Sequence, residues 1–169
     1  MNLVAIDPGK KGALVYERER KLEQVISWRP CSVGYKINSL SSGRVSSRKV
    51  PNLSGVFSAF RRPEVYACVC EQIRLFPGKK GVITLAESTA EVYAPFKATA
   101  YNFLRVSSSE WRMTILGKSE RIGRDALDSA AIKYAQETRP ELTEIDSHIA
   151  DAICMLDWLR AEVDKCAAV

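Results

Sequence analysis

The chain has 169 residues, 46% of them hydrophobic and 27% charged, enough for one domain with its own core and too apolar for a disordered chain. Lys and Arg number 25 against 20 Asp and Glu, a net charge of +5 that suits a polyanionic partner if the positive charge clusters. No apolar run approaches the ~18 residues of a membrane span, and the first residues lack the basic leader and small-residue cleavage site of a signal peptide, so a soluble, cytoplasmic protein is expected.

The five cysteines, Cys31, Cys68, Cys70, Cys154 and Cys166, form no Cys-x-x-Cys pair and mostly sit in apolar surroundings. They read as small buried hydrophobes in a reducing compartment.

In chain order, residues 2–7 predict a strand, Pro8, Gly9 and Gly12 supply turn chemistry, and residues 13–17 predict a returning strand, with Asp7 near the bend. A third strand is expected over 22–28. The stretch from Pro30 to Pro51 holds six serines, Gly34 and Gly43 with Lys36, Arg44, Arg48 and Lys49. It reads as a long polar connection, functional or mobile, centred on a basic serine-rich loop at about 31–51. Residues 53–60 predict a short helix stopped by Arg61-Arg62-Pro63, and Val65 to Glu71 a buried strand.

Phe76-Pro77-Gly78-Lys79-Lys80-Gly81 follows as a basic turn. A helix is expected over 82–94, ending before Pro95, then a strand over 101–106 and a helix start capped by Ser107 or Ser108. Helices over about 124–137 and 147–163 complete the order. No internal repeat is evident. Three strands, then helix, strand, helix, strand and helices, predict one α/β domain over residues 1–169: a mixed sheet whose first three strands form an antiparallel meander.

Asp7 and Glu71 end two apolar strand runs, where a carboxylate emerges from the buried layer of a sheet. On the last helix Ile149, Ala152, Ile153, Leu156, Leu159 and Val163 mark a core stripe, and His148 and Asp151, three apart, share a face at its border. Asp146, five residues before Asp151, points elsewhere and is either a helix cap or a further site member. Asp-Pro-Gly alone is an ordinary turn, Glu71 alone a strand-end charge and His148 alone a surface residue. Together they read as one metal site, because three carboxylates within ~5 Å would repel by roughly 3 kcal/mol per pair at an effective dielectric of about 20 without a cation.

An oxygen-rich set with one imidazole suits Mg²⁺ or Mn²⁺, and a chain with a single histidine is a poor zinc binder. Two such ions can activate a water and stabilise a leaving oxygen at phosphorus, which makes phosphodiester hydrolysis the leading reaction class.

Ala5-Ile6-Asp7-Pro8-Gly9, Cys70-Glu71-Gln72 and His148-Ile149-Ala150-Asp151-Ala152 resemble, in order and separation, the three catalytic blocks of RuvC-type Holliday junction resolvases. The serine-rich stretch is closest in character to divergent phage-encoded members. The resemblance implies an RNase H-like fold with helices on both faces, a homodimer, two Mg²⁺ ions per site with Mn²⁺ able to substitute, and paired nicks in four-way DNA junctions. It implies that Asp7 bridges the metals, that Glu71 and Asp151 are further ligands, and that His148 fills a position held by Asp or His. It also implies a role in DNA recombination and repair or phage DNA processing, in association with nucleoid or phage DNA.

Where bacterial members place an aromatic residue after the second block, this chain has Arg74; either Phe76 takes that part or Arg74 contacts phosphate. Lys118, as a catalytic residue, and Arg121, as a DNA contact, are the basic candidates near the last crossover, each with solvated surface charge as its alternative. Lys36, Arg44, Arg48, Lys49, Lys79 and Lys80 are candidate contacts to the DNA backbone, and Trp111 reads as core rather than as a base-stacking platform. The competing readings are a broader branched-DNA or flap nuclease, an actin-like nucleotide-binding protein, and a junction-binding protein with a decayed site.

Overall fold

A computed structural model of the chain describes residues 1–8, 11–28, 30–36, 45–51, 65–72, 82–117 and 123–167. Seven strands are assigned among them: β1 Asn2–Asp7, β2 Gly12–Arg18, β3 Lys21–Trp28, β4 Pro30–Lys36, β5 Val45–Pro51, β6 Ala67–Glu71 and β7 Asn102–Val106. The helices are α1 Val82–Thr99, α2 Ser108–Leu116, α3 Arg124–Thr138 and α4 Ser147–Ala167.

Five strands form one sheet in the order β3-β2-β1-β6-β7; β1, β2 and β3 pair antiparallel, whereas β6 lies parallel to β1 and to β7. This is the mixed sheet expected from the sequence, with its three-stranded antiparallel edge. The central strands are apolar on both faces because both are covered. Leu3, Ala5, Ala13, Val15, Ala67 and Val69 pack with residues of α2, α3 and α4. Their alternates Val4, Ile6, Leu14, Tyr16, Cys68 and Cys70 pack with Val92 and Phe96 of α1.

Three sequence expectations change. The stretch read as a serine-rich connection carries β4 and β5, an antiparallel pair in register from Pro30↔Pro51 to Lys36↔Val45; valines and a tyrosine between the serines supply strand propensity that the polar composition hid. Helix α1 does not stop before Pro95 but runs through it to Thr99. Proline removes one helix hydrogen bond, yet Val92 and Phe96 are fully buried on either side of it and hold the helix in place. Helix α4 is buried on almost every side from Ile149 to Leu159, not along a stripe, because it lies between the sheet and helices α2 and α3. The helix expected over 53–60 and the basic turn over 76–81 lie outside the described residues.

Gly12 sets the geometry at the start of β2. A Cβ there would come 2.3 Å from the Asp7 carbonyl oxygen and 2.4 Å from the Trp28 ring. Only glycine lets β2 and β3 close against the end of β1, and that end carries Asp7.

Candidate functional site

β1 and β6 are neighbouring parallel strands whose carboxyl ends are Asp7 and Glu71. Side chains alternate along a strand, so Asp7 keeps step with Leu3 and Ala5 and Glu71 with Ala67 and Val69, both on the face covered by α4. With Ile6 opposite Cys70 in the pairing, the two acids emerge at matching heights on adjacent strands.

Helix α4 begins against this edge. The Ile149 amide donates to Asp146 Oδ1 at 2.9 Å and the Ala150 amide to the Asp146 carbonyl, so Asp146 caps the helix, and its Oδ1 is spent on that bond. His148 and Asp151 then turn toward the strand ends. Nδ1 of His148 lies 2.6 Å from Oδ2 of Asp7, joining helix to sheet.

Two further side chains belong to the site. Ser107 caps α2 by accepting from the Glu110 amide, and this fixes Trp111 and Arg112 one turn later. Trp111 is fully buried, as expected of a core residue, but its Nε1–H donates to Glu71 Oε1 at 3.3 Å. Arg112 Nη2 donates to Asp151 Oδ2 at 3.1 Å. The other oxygen, Oδ1, is buried with no hydrogen-bond partner among the described residues, and leaving such a group unpaired costs about 1–3 kcal/mol or more for a charge.

Burial pushes all three carboxyls up, Asp7 to about 6 and Glu71 and Asp151 to about 7. They also act on one another: the charge of Asp151 raises Asp7, that of Asp7 raises Glu71, and that of Glu71 raises Asp151. Opposing these, His148 lowers Asp7, the Trp111 hydrogen bond lowers Glu71, and Arg112 lowers Asp151. The imidazole is pushed up in turn, chiefly by its hydrogen bond to Asp7. Three mutually repelling acids thus share one site in which, among the described residues, one guanidinium and one imidazole bond to them directly.

No group of three His, Cys, Asp or Glu side chains among the described residues forms a ready metal cage. One oxygen of each acid is already bonded, Asp7 Oδ2 to His148, Glu71 Oε1 to Trp111 and Asp151 Oδ2 to Arg112. The donor chemistry nevertheless fits a hard divalent cation: carboxylate oxygens predominate, one imidazole completes the set, and Asp151 Oδ1 has no other partner.

The structure brings together Asp7, Glu71, His148 and Asp151. Lys36, Arg48 and Lys49 fall on the β4–β5 pair. Arg44, Arg74, Phe76, Lys79, Lys80, Lys118 and Arg121 lie outside the described residues. Arg112 was not legible as a site residue, because one arginine in a short helix reads as solvated charge; its only signal was its place directly after a tryptophan, one turn past a serine cap.

No family model and no curated protein matches the chain. Among solved structures it is similar to the Thermus thermophilus RuvC structure, with a TM-score of 0.45, 14% identity and coverage of 92% of this chain and 91% of that chain. It is also similar to T. thermophilus RuvC in complex with a Holliday junction substrate, with a TM-score of 0.43, 16% identity and coverage of 92% and 90%. Identity this low carries nothing about individual residues.

Proposed function

We propose that the protein is a metal-dependent endonuclease that resolves branched DNA, cutting four-way junctions by paired symmetric nicks. The observation that supports this most is the meeting of Asp7, Glu71, Asp151 and His148 at the carboxyl ends of two parallel strands, with three buried acids bonded, among the described residues, to one guanidinium, one imidazole and one indole N–H. A site that only stabilised the fold would not gather repelling carboxyls at a sheet edge.

In this reading Asp7, Glu71, Asp151 and His148 would hold Mg²⁺, or Mn²⁺ in its place, as two ions. Such ions polarise a phosphodiester and lower the pKa of a bound water. Trp111 orients Glu71 through its indole N–H, and the Asp146 cap fixes the start of the helix that carries His148 and Asp151.

Lys36, Arg44, Arg48, Lys49, Lys79 and Lys80 would hold the DNA backbone, giving binding that weakens steeply with salt. Arg74 or Phe76 would lie near the junction centre, and Lys118 or Arg121 would steady the phosphate being cut. Symmetric nicking requires two such sites, hence a homodimer.

The test is cleavage of a mobile four-way junction, a fork and a linear duplex with Mg²⁺, Mn²⁺ or Ca²⁺. Paired nicks at symmetric positions, confined to the junction, are expected. Equal cutting of forks would make the protein a broader branched-DNA nuclease, and no cutting of any substrate with any ion would overturn the proposal.

A further inference from the structure

Arg112 is placed like a cation in a cation site. Its side chain is 14% exposed, its guanidinium lies over the Trp111 ring at 4.8 Å, and Nη2 reaches Asp151 Oδ2. Both groups are only half used. Among the described residues Arg112 Nε and Asp151 Oδ1 are each buried without a hydrogen-bond partner, although arginine and carboxylate commonly meet through two parallel bonds.

The same chain closes such a fork elsewhere. Arg160 donates from Nε and Nη2 to the two oxygens of Glu17 and from Nη1 to Asp157. The open fork at Asp151 therefore has a local cause: α2 holds Arg112 by its indole stack, at a reach where only one nitrogen meets the carboxylate.

We infer that Arg112 is an exchangeable counter-ion, which occupies Asp151 in the metal-free protein and yields it when a divalent cation enters. This rests on the metal site proposed above. A guanidinium cannot be deprotonated at working pH, so it cannot make room by losing its charge; it has to move. Held at Asp151 it repels an incoming dication and covers one of its ligand oxygens, and metal and guanidinium lower each other's occupancy by the same factor. Its stack on Trp111 keeps it beside the site once displaced, where a phosphate oxygen is a suitable new partner.

The test measures metal uptake rather than cleavage. The full chain is stripped with EDTA, exchanged into chelator-free buffer and titrated with Mg²⁺ and Mn²⁺ by calorimetry, as wild type, Arg112→Gln, Arg112→Lys and Asp7→Asn. Arg112→Gln is expected to bind at least about fivefold more tightly than wild type, within the usual span of coupling between two sites, and Arg112→Lys to fall between them. The Arg112→Gln thermal midpoint in EDTA should drop, with Mn²⁺ recovering more of it than Mn²⁺ adds to wild type. A merely structural arginine would lower that midpoint without tightening metal binding.

Should Arg112→Gln fail to fold, the wild type carries its own readout: the Arg112 Nε–H signal in ¹⁵N NMR shifts on saturation with Mg²⁺. Equal or weaker metal binding by a folded Arg112→Gln, or an unmoved signal at saturation, overturns the inference. If Asp7→Asn takes up metal as well as wild type does, or if none of the proteins binds it, the metal reading itself falls and the inference with it. If wild type binds, Asp7→Asn does not and Arg112→Gln matches wild type, only the inference falls.

Discussion

Helix α4 touches two buried charged clusters, one near its first turn and one about 13 Å further along, and they are built on opposite principles. At the far end Glu17 of β2 accepts two bonds from Arg160, while Asp157 accepts from Arg160, from Arg139 at 2.7 Å and from the Tyr134 hydroxyl at 2.9 Å. Two acids meet two arginines, and every carboxylate oxygen has a donor. At the near end the three acids Asp7, Glu71 and Asp151 have bonds, among the described residues, from one arginine, one histidine and one tryptophan, and Asp151 Oδ1 has no donor there. A balanced network closes on itself and fastens α4 to the sheet and to α3. An unbalanced one carries a cost that a ligand can relieve.

The largest stability effect is expected in the balanced cluster. Glu17 is 2% exposed, and Glu17→Gln removes one of the two carboxylates that pair with Arg160, which costs about 3 kcal/mol, the low end for a broken buried pair because Asp157 still holds the guanidinium. Urea unfolding measures this, and cleavage by the folded fraction should hold within about twofold of wild type, a change too small to mark a transition-state contact. Cleavage lost without stability would end the contrast between the clusters.

An intermediate effect comes from pH. Folding raises Asp7 from 3.8 to about 6, Glu71 from 4.5 to about 7 and Asp151 from 3.8 to about 7. Between about pH 4 and 7 the folded chain therefore holds more protons at these acids than the unfolded chain does, and their contribution to stability declines as pH rises. His148, also raised, acts in the same direction above its ordinary 6.5. Thermal midpoints in EDTA should fall across this window, and saturating Mg²⁺ should remove the fall at its upper end. A flat profile in EDTA would mean that the acids are neither buried nor crowded as the structure places them.

The smallest effect separates helix cap from ligand. Asp146→Ala should cost about 1 kcal/mol, the usual value of a lost N-cap, and leave junction cleavage within a few-fold of wild type. A loss comparable to that at a metal ligand would return Asp146 to the site.

The strand-end acids were legible in the sequence because a buried parallel strand is an apolar run, and a carboxylate that closes such a run has to emerge at the sheet's edge. His148 and Asp151 were legible through helical spacing, and Ser107 through the chemistry of capping. What stayed hidden depended on tertiary neighbours. Glu17 and Arg112 look like solvated charges until their partners, 143 residues away for the Glu17–Arg160 pair and 39 for Arg112–Asp151, are known. The course of α1 through Pro95 and the strands within the serine-rich stretch were hidden likewise, since local composition argued the other way and packing or pairing prevailed.

The most direct measurement is four-way junction cleavage by Asp7→Asn with Mg²⁺, read beside junction binding and thermal midpoint. The substitution keeps the shape of the side chain and removes the charge that the neighbouring acids feel and that the proposed metal would feel. Cleavage should fall on the order of 10³-fold or more, as expected when metal-derived stabilisation worth several kcal/mol is lost, with junction binding retained and the midpoint in EDTA no lower than wild type. Cleavage at the wild-type rate by a folded, junction-binding Asp7→Asn would contradict the assignment of this site.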